Sequence, residues 1–204
     1  MIGDSLAGPV GWGIDALGRA AGSAETIIEN HGGSGLVRDD FFDWPGDTPR
    51  LLEETAPDIV VVILGANDGQ AILEEDRELP FGSAEWLEAY RMRVEAFAAQ
   101  LETGASGIYW VGVPIMEAAG YRARMEVLNA LLADVAGDRD EMEYIDVWGL
   151  LAGPEGEYRS HLQTADGEQI AIRAPDGIHY TQAGADLVAA RVFAIVADDW
   201  GLAP

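Results

Sequence analysis

The chain has 204 residues, about half of them apolar, enough for one sizeable α/β domain with a full core. Twelve basic residues, all Arg, stand against 36 acidic ones; the net charge of −24 repels DNA and RNA and excludes nucleic-acid binding as a role. With no Cys there is no disulfide frame, no thiolate nucleophile and no Cys-ligated zinc.

Met1-Ile2 read as the end of a first strand that runs into the turn Gly3-Asp4-Ser5-Leu6. A helix is expected over 8–21, a short second strand over 25–29, and a Gly-, Asp- and Pro-rich loop over 30–50. Ile59 to Leu64 form a continuous, mostly β-branched run, as a buried parallel strand requires. The acidic cluster Glu74-Glu75-Asp76 reads as a solvated loop. Ser83 caps a predicted helix over 84–103, with Trp86, Tyr90, Val94, Phe97 and Leu101 on its core face. A strand over 108–113 stops at Pro114, a helix follows over 121–136, and a strand over 143–147. Residues 157–173 read as a hairpin or loop excursion turning at Asp166-Gly167. Thr181 caps the last helix.

This alternation predicts a flavodoxin-like three-layer α/β/α sandwich, with a five-stranded parallel sheet in the order 2-1-3-4-5, as one domain over 1–204. In that order the ends of strands one, two and three share a rim. Ser5, Gly35 and Asn67 therefore meet there, and Asp176 and His179, just before the last helix, reach the same rim. No apolar run approaches the ~18–20 residues of a membrane helix. The start of the chain as given carries no basic, apolar signal peptide.

The chemistry assigns roles. Ser5 is the candidate nucleophile, His179 its base, and Asp176 the carboxylate that orients the ring. Three donors suit the oxyanion of a tetrahedral intermediate: the backbone N–H of Ser5, the backbone N–H of Gly35 and the side-chain amide of Asn67. Glycine at 35 lets the backbone approach the substrate oxygen. No metal or other cofactor is needed. The expected partner is a small-molecule or glycan ester.

The blocks Gly3-Asp4-Ser5-Leu6, Gly35, Gly65-x-Asn67-Asp68 and Asp176-x-x-His179 resemble, in order and spacing, the four blocks of the SGNH (GDSL) hydrolase superfamily. Phe42-Asp43-Trp44-Pro45, the stretch from Leu64 to Gln70 and the stretch from Tyr109 to Pro114 further resemble its DUF459 branch. The resemblance implies the same sandwich, triad and oxyanion hole, with no metal. It also implies esterase, lipase or carbohydrate O-deacylase activity, often in an exported or membrane-tethered setting. The run ahead of the Ser5 turn is shorter than the resemblance implies, which a trimmed start or a short first strand would explain.

Other residues read as structural. Asp4 and Asp68 are loop and capping groups, His31 a surface loop histidine and His161 a structural or surface one; Arg122 and Arg124 flank the carboxyl edge of the sheet and read as surface ion-pair partners, with contact to an acyl or glycan substrate as the alternative. Two rival classes remain: a non-catalytic glycan- or acyl-binding module, and a metal-assisted phosphoesterase using Asp4, Asp68 and His179. Acyl transfer to an alcohol is the close variant of hydrolysis.

Overall fold

The computed structural model describes residues 1–74, 76–164 and 166–203. The elements in chain order are β1 (Ile2–Gly3), α1 (Ala7–Ala21), β2 (Glu29–Asn30), α2 (Trp44–Thr55), β3 (Ile59–Ile63), β4 (Ile72–Leu73), β5 (Glu78–Leu79) and α3 (Ala84–Leu101). They continue with β6 (Gly107–Val111), α4 (Ala119–Gly137), β7 (Met142–Ile145), α5 (Trp148–Leu151), β8 (His161–Gln163), β9 (Gln169–Ala171) and α6 (Gln182–Trp200).

The main sheet has the order β2-β1-β3-β6-β7 and every pairing in it is parallel. This is the expected 2-1-3-4-5 order, with β6 and β7 as its fourth and fifth strands. On one face α1 packs against α6; on the other, α3 packs against α2 and α4. Both faces of β3 and β6 are therefore covered, and Val60 to Ile63 and Ile108 to Val111 are buried. Doubly covered strands carry apolar residues at every position, which is why these runs do not alternate.

Two parts of the sequence reading need correction. The second strand is Glu29–Asn30, not 25–29, because β1 starts at Ile2 and pairs only Glu29 and Asn30. Within 30–50, residues from Trp44 onward are helix α2, not loop. Asp43 caps that helix by accepting from the Gly46 N–H at 2.9 Å, and Pro45 sits in the first turn, where a missing N–H costs nothing. Pro49 lies inside and cannot donate to the Pro45 carbonyl, so Gln100 donates its side-chain amide there instead, at 2.7 Å. That compensation comes from a residue about fifty positions away. The short hairpin β4–β5 and helix α5 also lie outside the sequence reading. The expected acidic loop falls within that hairpin, although Glu75 lies outside the described residues. The excursion near Asp166-Gly167 is the antiparallel hairpin β8–β9.

Candidate active site

Ser5 stands two residues past the end of β1 and just ahead of α1, at the carboxyl rim of the sheet. Its Oγ lies 2.9 Å from His179 Nε2. His179 Nδ1 lies 2.7 Å from Asp176 Oδ2. The same carboxylate accepts from the backbone N–H groups of Ile178 (2.9 Å) and His179 (3.0 Å). The His179 side-chain bond and these two backbone bonds hold the Asp176 carboxyl down at about 2, so it is ionised at neutral pH. An ionised acceptor at Nδ1 places the ring proton there and turns the Nε2 lone pair toward Ser5. The side chains of His179 and Asp176 are 43% and 47% exposed, so the site is shallow and open.

Sequence reasoning did not reach the support under this loop. Gly177 has φ +69°, the left-handed turn that lets Asp176 and His179 face each other across three residues. Arg173 is 3% exposed, and its partners among the described residues are carbonyls and the Met116 sulfur rather than a carboxylate. It donates to Ile115 O at 2.8 Å and to Ile178 O at 2.5 Å, with its guanidinium near the rings of Tyr158 and Tyr180. Burial lowers its pKa. The sequence shows an arginine three residues before Asp176, but its burial is visible only in the structure.

The oxyanion candidates come from three loops. Among the described residues, neither the Ser5 N–H nor the Gly35 N–H has a protein acceptor. Asn67 donates from its side-chain amide to Ser34 O at 2.9 Å, which leaves its second amide proton available. The loop carrying Gly35 is pinned on both sides. Ser34 Oγ donates to His31 O at 2.6 Å and accepts from Trp44 Nε1 at 2.9 Å. Asp68 accepts from the N–H groups of Leu36 (3.1 Å) and Val37 (2.8 Å) and from Tyr90 Oη (2.8 Å). Glycine at 35 has a second reason beyond substrate approach: a Cβ there would sit 2.1 Å from Asp68 Oδ1.

The remaining candidates have structural placements. Asp4 is fully buried; its Oδ1 accepts from Leu6 N at 2.9 Å and its Oδ2 has no hydrogen-bond partner among the described residues. Burial pushes its pKa up to about 7, against the Leu6 hydrogen bond and helped by the nearby Asp68 charge. Burial also raises Asp68. His31 is not a free surface side chain: it stacks on Phe42 at 3.6 Å between ring centroids and lies 2.8 Å from Glu29. Among the described residues, Arg122 and Arg124 have no ion-pair partner. Arg122 clamps the carbonyls of Met116 and Glu117, and Arg124 that of Gly69. His161 lies on the exposed hairpin. No three His, Cys, Asp or Glu side chains among the described residues gather as a metal-binding group. No helix among them is long and apolar enough to cross a membrane.

A parallel flavodoxin-like sandwich with serine, imidazole and carboxylate in hydrogen-bonded series at its switch point belongs to the α/β class whose ligands bind at the carboxyl ends of the strands. The chain belongs to the DUF459 family, described as "Protein of unknown function", whose model matches residues 1–195. Among curated proteins no sequence matches it. Among solved structures, an acetylxylan esterase from Geobacillus stearothermophilus, in a catalytic mutant, is 16% identical with a TM-score of 0.65, over 95% of this chain and 90% of the other. A carbohydrate esterase family 3 protein from Talaromyces cellulolyticus is 16% identical with a TM-score of 0.60, over 97% and 95%. An alpha/beta hydrolase enzyme from the metagenome of Lake Arreo, Spain, is 22% identical with a TM-score of 0.63, over 95% and 91%. At these identities the likeness is one of fold, a fold on which acetylxylan esterases occur.

Proposed function

We propose that the protein is a metal-independent serine esterase that cleaves an oxygen ester through an acyl-enzyme. The observation that carries this is the unbroken series Ser5 Oγ, His179 and Asp176, with contacts of 2.9 and 2.7 Å. Ser5 Oγ attacks the ester carbonyl carbon as its proton passes to His179 Nε2. The carbonyl oxygen becomes an oxyanion facing the N–H groups of Ser5 and Gly35 and the free amide proton of Asn67. Collapse breaks the bond to the alcohol oxygen, which takes the proton from Nε2 and leaves. Water then gives its proton to Nε2 and attacks the acyl carbon, and Ser5 regains its proton as the acid departs. The carboxylate of Asp176 stabilises the imidazolium at each proton transfer.

A small acyl group on a carbohydrate is the substrate class favoured here. The open site can admit an alcohol that is part of a larger chain, and the fold is shared with acetylxylan esterases. Transfer to a second alcohol in place of water uses the same residues. The test is hydrolysis of p-nitrophenyl acetate in EDTA together with fluorophosphonate labelling of Ser5, followed by a panel of acetylated sugars with released acetate measured. Turnover with labelled Ser5 supports the proposal. Loss of turnover on chelation points to the phosphoesterase class, and binding of acylated sugar with neither turnover nor labelling points to a binding module.

A further inference from the structure

From the Ser34 carbonyl to the Val37 N–H, every backbone polar group except the Gly35 N–H has a partner among the described residues. Ser34 O accepts from the Asn67 amide at 2.9 Å, and Gly35 O accepts from Arg38 N at 3.3 Å. Leu36 N and Val37 N both donate to Asp68, at 3.1 and 2.8 Å, and Leu36 O accepts from Arg93 Nη1 at 2.6 Å. Gly35 is itself buried. Buried backbone groups find partners as a rule, so the single N–H left over is the one held for a group from outside.

The groups that hold this stretch trace back to one stripe of α3. Trp86, Tyr90 and Arg93 are spaced four and three residues apart, so they share a face of the helix. Tyr90 Oη donates to Asp68 Oδ2 at 2.8 Å, the same oxygen that accepts from Leu36 N. Arg93 takes the Leu36 carbonyl. Trp86 stacks on Tyr90, with ring centroids 4.8 Å apart and 17° between the planes, and so fixes the direction of the phenol. Trp86 Nε1 donates to Gln70 O at 2.7 Å, and Gln70 Nε2 donates in turn to Asn67 O at 2.5 Å. The stripe therefore reaches both the Gly35 loop and the Asn67 loop. Trp86, Tyr90 and Asp68 are fully buried. Burial raises the Asp68 pKa, against the Val37 N–H, the Tyr90 hydroxyl, the Leu36 N–H and the Arg93 charge. Such a carboxylate is a stiff anchor, because a buried acceptor that loses a donor has no water to replace it.

We propose that Tyr90 and Arg93 are positioning residues for the oxyanion hole: Tyr90, through Asp68, and Arg93, through the Leu36 carbonyl, fix the peptide units that turn the Gly35 N–H toward the ester oxygen. This rests on the serine-esterase reading of the site. The oxyanion forms only in the transition state, and a donor displaced there by about 1 Å costs up to ~10²-fold in rate with little effect on substrate binding. Asp68 itself sits on a loop. The rigid reference is α3, an 18-residue helix packed against α2 and α4.

The test is steady-state kinetics on p-nitrophenyl acetate with amide hydrogen exchange in parallel. Tyr90→Phe keeps the ring and its stack on Trp86 and removes only the hydroxyl. It is expected to lower kcat by ~10–10²-fold at a KM within about twofold of the unaltered chain. Exchange at Leu36 and Val37 is expected to quicken about tenfold or more, while Val61 and Val62 in β3 keep their protection. Arg93→Met is expected to do the same, and Arg93→Lys to recover most of the loss, because a single carbonyl needs only one donor. If Tyr90→Phe does not fold, the two Arg93 variants carry the same comparison. An unchanged kcat in the variants overturns the proposal, and so does a rise in KM at unchanged kcat. A lower kcat with a uniform loss of protection across β3 limits both residues to stability and overturns it as well. The exchange arm uses no substrate. The clamp fails if Leu36 and Val37 keep their protection, whereas the esterase reading fails separately, if the unaltered chain neither turns over ester nor is labelled at Ser5.

Discussion

Asn67 donates its side-chain amide to the carbonyl of Ser34, and the nitrogen of that same peptide unit is Gly35. Two of the three candidate oxyanion donors are therefore coupled through one peptide group. A hydrogen bond to the carbonyl end polarises the N–H at the other end, so Asn67 strengthens the Gly35 donor as well as supplying its own proton. Removing the Asn67 amide weakens both donors.

Asn67→Ala should accordingly lower kcat by ~10²–10³-fold with little change in KM, as expected for donors used mainly in the transition state. Steady-state kinetics on p-nitrophenyl acetate checks this. A rise in KM at unchanged kcat would assign Asn67 to substrate binding instead.

Ser5→Ala should cost at least ~10⁴-fold in kcat and abolish fluorophosphonate labelling, leaving a residual rate from the oxyanion donors. Since Ser5 is neither buried in the core nor a cap of α1, the Tm should stay within about 2 °C of the wild type. Undiminished turnover in this variant would remove the acyl-enzyme mechanism.

Arg173→Met should lower kcat by about 10²-fold while leaving KM nearly unchanged, because Ile178 and His179 lose the clamp that sets the imidazole against Ser5. Arg173→Lys should recover only part of the loss, since an ammonium lacks the planar fork that spans the Ile115 and Ile178 carbonyls. The pH–rate profile of the methionine variant should also shift, which a purely structural loss would not cause. An unchanged profile with only a lower Tm would limit Arg173 to stability.

Asp4→Asn separates stability from catalysis by pH. The unfolded Asp4 ionises near 3.8, while the folded one keeps its proton to about 7. Between those values the folded state binds more protons, so Asp4's favourable contribution is complete below pH 3.8 and is lost as pH rises through 7. Asparagine keeps an acceptor for Leu6 N and has nothing to ionise. The variant should match the wild type near pH 4 and exceed it above pH 7, by at most ~4 kcal/mol. Denaturant midpoints at pH 4, 6 and 8 measure this, and a gap that does not grow with pH would contradict the buried, protonated Asp4.

The acidic surface gives a fifth test. With a net charge of −24, the folded chain repels itself, and added salt screens that repulsion. The Tm should rise between 0.05 and 1 M NaCl. A Tm independent of salt would show that self-repulsion of the acidic surface does not limit stability.

Residue order alone determined a good deal about this protein. The buried run from Ile59, the helical periods of α3 and α4 and the caps Ser83 and Thr181 are all local patterns of period and residue type, and each leaves a one-dimensional trace. Ser5, Asp176 and His179 were legible for a related reason: each sits in a short block at an element end, and a parallel sheet gathers such ends on one rim. Only the tertiary structure decided the rest. Helix α2 was hidden because its prolines look like breakers until Gln100 is seen supplying the missing donor. Nothing local in the residue order marks Arg173; its place between the carbonyls of Ile115 and Ile178 exists only in the folded chain. The link from Asn67 to the Ser34 peptide and the contact of Asp68 with the loop at Gly35 join segments far apart along the chain. Such contacts depend on how the layers pack in three dimensions, and no local period records that.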